Sequence, residues 1–125
     1  MRKLKLIVSA LFVSAAALAG DVQTSGNNVT IRPDGGEAKV IRLEVMNDNI
    51  IRVRATSKDA LPEKPASLMI VPQTTVVKNV SIEKDNEKVT VKAKNVTAVV
   101  QMATGQVTFY DANGKELLKE AKDGK

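Results

Sequence analysis

The chain has 125 residues, with 19 Lys and Arg against 14 Asp and Glu, and it contains neither Cys nor His. The missing Cys excludes disulfide staples and a thiolate nucleophile, and the missing His removes the commonest general base and transition-metal ligand. Stability must therefore come from a packed core, and a body of about 105 residues holds one small domain.

In chain order, Met1-Arg2-Lys3-Leu4-Lys5 is a short basic run, and an apolar stretch follows that closes on Ala17-Leu18-Ala19 before Gly20. A positive start, a short apolar run and a small-x-small exit predict a helical, cleaved signal peptide over residues 1–19. A membrane anchor needs roughly 20 apolar residues, more than Leu6 to Ala19 supplies. A lipid anchor is closed for want of a Cys. The chain is thus expected to be exported, periplasmic or extracellular, with no membrane attachment once the leader is gone. Arg2, Lys3 and Lys5 leave with it, so 16 Lys and Arg remain against 14 Asp and Glu, about +2. The remaining lysines alternate with acids instead of forming a stripe, which argues against a nucleic-acid partner.

Residues 20–125 read as one all-β domain. After a polar lead from Asp21 to Asn28, Val29-Thr30-Ile31-Arg32 is a strand, and Pro33-Asp34-Gly35-Gly36 is a turn by composition. Ile41, Leu43 and Val45 then alternate with Arg42, Glu44 and Met46, and beyond Asn47-Asp48-Asn49 the residues Ile51, Val53 and Ala55 alternate with Ile50, Arg52 and Arg54. A three-residue loop there pairs Val45 with Ile51, Leu43 with Val53 and Ile41 with Ala55. It also sets Glu44 opposite Arg52, at the cost of Arg42 opposite Arg54. A one-residue slip would place apolar side chains against charged ones, so this register is strongly specified.

Ala60 to Pro72 reads as a loop with a short strand at Leu68-Met69-Ile70-Val71. Asp85-Asn86 as a two-residue turn would pair Ile82 with Val89, Val80 with Val91, Lys84 with Glu87 and Glu83 with Lys88. A turn at Thr104-Gly105 would pair Met102 with Val107, Val100 with Phe109 and Gln101 with Thr108. Asn113-Gly114, the preferred type I′ dipeptide, would return the chain so that Leu118 faces Phe109 and Leu117 faces Tyr110. With no convincing helical periodicity, the expected architecture is an antiparallel β-sandwich. Because the body ends directly after a hairpin, it reads as an incomplete sandwich, the first part of a larger domain.

No catalytic, cofactor-binding or metal-ligating set emerges, and no cofactor is expected. Asp111-Ala112-Asn113-Gly114-Lys115-Glu116 superficially resembles a calcium loop, but Gly falls at position four and Lys at five, so it reads as a hairpin turn. Glu44, Glu83 and Glu87 lie on polar faces beside Lys or Arg, the pattern of a solvated face rather than a glycosidase pair. Phe109 is placed in the core and Tyr110 on the opposite face, where one aromatic makes a poor sugar platform. The sequons at Asn28, Asn79 and Asn95 read as chance in a chain rich in Asn, Val and Thr.

Two segments together carry a family resemblance: Ile41-Arg42-Leu43-Glu44-Val45 with Asn49-Ile50-Ile51-Arg52-Val53, and the hairpin from Thr104-Gly105 through Phe109-Tyr110-Asp111 to Leu117-Leu118. Their order resembles the opening of exported family 31 glycoside hydrolases, α-glucosidases and α-xylosidases in the style of the Bacteroides group. The resemblance implies a galactose-mutarotase-like β-sandwich packed in cis on a (β/α)₈ barrel, with both catalytic aspartates of a retaining mechanism in the barrel. It implies a non-catalytic segment here, which covers and braces the barrel and helps to shape the entrance of its substrate pocket. No functional residue carries over. The other reading is a self-contained exported sandwich that binds a glycan or a protein partner.

Overall fold

The computed structural model describes residues 21–62 and 77–121. The predicted leader over residues 1–19 and the short strand at residues 68–71 lie outside the described residues.

Among the described residues, nine strands form two antiparallel meanders. The first sheet holds β1 (Asp21–Ser25), β2 (Asn28–Arg32), β3 (Val40–Asn47) and β4 (Ile50–Thr56) in chain order. The second holds β5 (Ser81–Lys84), β6 (Lys88–Lys92), β7 (Val96–Gln101), β8 (Val107–Asp111) and β9 (Glu116–Lys119), also in chain order. No helix occurs among the described residues. Alternation sends every second side chain inward, so Val29, Ile31, Ile41 and Leu43 of the first sheet meet Val89, Val91, Ala98, Val100 and Val107 of the second in one cluster. All nine are 0% exposed. Fully burying a Val, Leu or Ile contributes about 1.5–3 kcal/mol, so this shared core holds the sheets face to face. The expected all-β sandwich is present.

The β3–β4 register matches the sequence reading at Val45 with Ile51, Leu43 with Val53, Ile41 with Ala55, Glu44 with Arg52 and Arg42 with Arg54. Only its tip differs: a register shift between Val45 and Asn47 brings Asn47 opposite Ile50, so the loop is tighter than three residues. The polar lead is also structured. β1 pairs with β2 across Gly26-Asn27, with Gly26 at φ +60°. Its only inward apolar side chain is Val22, too weak a pattern to announce a strand.

Three later pairings depart from expectation. In β5–β6, Ile82 faces Val91, Glu83 faces Thr90 and Lys84 faces Val89, so the expected partners Val89, Lys88 and Glu87 are each displaced by two residues. Val80 precedes the strand and packs against the core. The cause is Asp85, whose Oδ1 accepts the amides of Glu87 (2.7 Å) and Lys88 (2.9 Å) and moves the tip to Asn86-Glu87. In β7–β8, Val100 faces Val107, Ala98 faces Phe109 and Val99 faces Thr108, rather than Met102 facing Val107, Val100 facing Phe109 and Gln101 facing Thr108. There Gly105 (φ +76°) donates to the Gln101 carbonyl at 2.7 Å, closing a wider loop that frees Met102 from the ladder. Both slips are even, so every side chain keeps its face.

In β8–β9, Leu118 faces Phe109 as expected, but Tyr110 faces Glu116, because a bulge drops Leu117 out of register. Gly114 alone is left-handed there (φ +86°) and donates to the Asp111 carbonyl at 3.1 Å, so the turn is not type I′, which needs positive φ at Asn113 as well. Phe109 is half-buried against the core rather than fully inside it. Leu118, though on the inward face, is 62% exposed, so the first sheet does not reach over β9.

Candidate functional site

The alternation that points Ile82, Val89, Val91 and Ala98 toward the core turns Ser81, Glu83, Thr90, Lys92, Thr97 and Tyr110 to the outer face of the second sheet. Ladder pairing lines up Ser81, Lys92, Thr97 and Tyr110 in one cross-strand row, with Glu83 and Thr90 side by side in the next. These six line a cleft of about 290 Å³, closed at one end by the turn from Asp111 to Gly114. Asp111 is committed to that turn: its Oδ1 accepts the amides of Asn113 and Lys115, each at 2.8 Å. The segment that superficially resembles a calcium loop is a hairpin turn. Among the described residues, no hydrogen bond or ion pair engages any of these six side chains. Among the described residues, no three of His, Cys, Asp and Glu come together as a possible metal set.

The outer face of the first sheet carries charge. Glu44 Oε1 lies 3.5 Å from Arg52 Nη1, an ion pair too long to count as a good hydrogen bond, and that oxygen is buried without one. Arg42 stands opposite Arg54, and its Nε is buried with no hydrogen-bond partner. Arg54 Nη2 donates instead to the Pro62 carbonyl at 2.6 Å. Elsewhere Arg32 pairs with Asp21 at 4.0 Å and Lys39 with Asp59 at 3.3 Å. Glu83 and Glu87, read as members of solvated faces, are exposed. Sequence alone places Tyr110 on the face opposite the core, across from Leu117. What it misses is the company that the shifted β5–β6 register brings into one row. Alternate polar positions on four neighbouring strands are the available signal.

Two antiparallel meanders sharing one core define a small β-sandwich with polar outer faces and no assembled catalytic pair among the described residues. Residues 40–125 match the glycosyl hydrolase 31 N-terminal galactose mutarotase-like domain. An uncharacterized family 31 glucosidase of Pseudescherichia vulneris is 34% identical over 86 residues, which are 67% of this chain and 15% of that protein. The family 31 α-xylosidase of Xanthomonas citri superposes with a TM-score of 0.70 and 34% identity, over 81% of this chain and 11% of the enzyme. A soil-metagenome α-xylosidase, solved with xylose, shares the fold at a TM-score of 0.64 and 24% identity, over 80% of this chain and 14% of the enzyme. The chain belongs to the family of glycoside hydrolase 31 N-terminal domains with a galactose-mutarotase-like fold. It spans less than a sixth of the length of each of these relatives.

Proposed function

We propose that this chain is the non-catalytic N-terminal β-sandwich of an exported family 31 α-glycosidase. In this role it packs in cis on a (β/α)₈ barrel, braces it and helps to shape the entrance to the substrate pocket. The observation that carries the reading is the family match over residues 40–125, in a chain whose described residues bring no acid–base pair of their own. The uncovered Leu118 on the inward face of β9 adds support, since an apolar side chain there suits further packing. Hydrolysis of α-glucosides or α-xylosides belongs, in this reading, to the barrel.

The coding sequence beyond residue 125 tests it. An in-frame barrel with its two aspartates is the expected result, and a stop followed by unrelated sequence would count decisively against it. Export has its own test. The expressed chain should be recovered outside the cytoplasm with its N-terminus at Gly20, whereas an uncleaved cytoplasmic product would remove that part of the proposal.

A further inference from the structure

We propose that the cleft on the outer face of the second sheet binds a neutral saccharide, with one pyranose unit seated against Tyr110. This goes beyond the bracing role and stands independently of it.

The chemistry of the lining comes first. Ser81, Thr90, Thr97 and Tyr110 supply hydroxyls that both donate and accept, Glu83 only accepts, and Lys92 only donates. A ring of sugar hydroxyls, each donor and acceptor at once, suits such a mixture. A strongly charged ligand suits it less, because one ammonium and one carboxylate offset each other across the row boundary.

The second observation is that this capacity is unspent. Some acids elsewhere pair with bases, as in Asp21 with Arg32, Asp59 with Lys39 and Glu44 with Arg52, and Asp85 and Asp111 cap turns, whereas Glu37, Glu87 and Glu116 are exposed as Glu83 is. Glu83 and Lys92 sit diagonally on adjacent strands, yet among the described residues neither forms an ion pair, so both heads face the cleft unpaired there. Tyr110 is half-buried, so the sheet holds the body of an aromatic ring in the cleft wall, an apolar surface for the C–H groups of a pyranose. The volume, about 290 Å³, takes one sugar ring and part of a neighbour.

The chain offers a built-in probe, since Tyr110 is its only Tyr and it has no Trp. Titration with xylose, glucose and maltotriose should change tyrosine emission saturably, with Kd on the order of 1–10 mM. Amide NMR shifts should map to β5 through β8. Lys92→Ala and Glu83→Gln should each weaken binding about tenfold, with unchanged melting curves showing that the variants fold. By NMR, Tyr110→Phe should retain binding and Tyr110→Ala should lose it. Three results would overturn the proposal: no response to any of these sugars, equal response in all variants, or a response only to an added family 31 barrel, which would give this face to the barrel.

Discussion

Glu44 on β3 and Arg52 on β4 stand directly opposite each other with charged atoms 3.5 Å apart, and beside them Arg42 opposes Arg54. Three arginines thus stand in two neighbouring rows beside one carboxylate, whose ion pair is with Arg52. Both members of the ion pair are largely shielded, with side chains 15% exposed for Glu44 and 28% for Arg52. Glu44→Gln should destabilise the domain by about 1 kcal/mol, read as a lower urea midpoint at unchanged slope. Added salt should shrink the difference between the two proteins by screening the uncovered repulsion.

Arg42→Thr should act in the opposite direction. The substitution removes a like-charge cross-strand pair and a buried, unpartnered Nε, and Thr suits a strand. Stability should rise by about 1 kcal/mol in urea denaturation. A clear loss would show that the aliphatic stem of Arg42 contributes more packing than its head costs.

Two glycines with left-handed backbone, in the turns of the first sheet, separate strain from close approach. A Cβ on Gly26 (φ +60°) would meet nothing within 4 Å, whereas a Cβ on Gly36 (φ +93°) would collide with the Thr104 carbonyl oxygen. Gly26→Ala should cost about 1–2 kcal/mol, from backbone strain alone. Gly36→Ala should cost clearly more, because the opposing atoms are backbone and cannot rotate away. Thermal midpoints of the two variants give the comparison directly.

Asp85 predicts a pH dependence. Its carboxyl is held below the ordinary value of 3.8, first by the Glu87 amide, then by the Lys88 amide, with the Lys88 charge adding to them. A carboxylate depressed in the folded state contributes stability that is present above its unfolded value and lost as pH falls through the folded one. Stability should therefore decline below about pH 4, and Asp85→Asn should flatten that part of the profile. Circular-dichroism melts between neutral and acidic pH check the sign.

The β3–β4 register is legible in the sequence because five consecutive pairs agree and a slip would set Leu43 against Arg52 or Arg54. The later hairpins are legible only in parity. Apolar pattern distinguishes odd from even slips but cannot tell Ile82 facing Val89 from Ile82 facing Val91. The choice falls to Asp85 Oδ1 and to the left-handed Gly105, whose local bonds outrank dipeptide preference. The cleft is hidden for the same reason: Ser81, Lys92, Thr97 and Tyr110 become one row only when both slips are known. β1 is hidden because a strand with a single apolar anchor has almost no pattern to show.

Met102 belongs to no strand, yet its amide donates to the Glu87 carbonyl at 2.8 Å and its carbonyl accepts the Asp34 amide at 2.7 Å. One residue thus ties the β2–β3, β5–β6 and β7–β8 turns together at one end of the sandwich. At the other end the Asn95 amide reaches the Asp48 carbonyl at 2.9 Å, and its side-chain amide reaches Asn49 Oδ1 at 2.6 Å. With clasps at both ends, neither meander can peel away by fraying from a tip. The Met102 amide should accordingly be among the slowest to exchange with deuterium, at a rate set by whole-domain opening rather than by local turn motion.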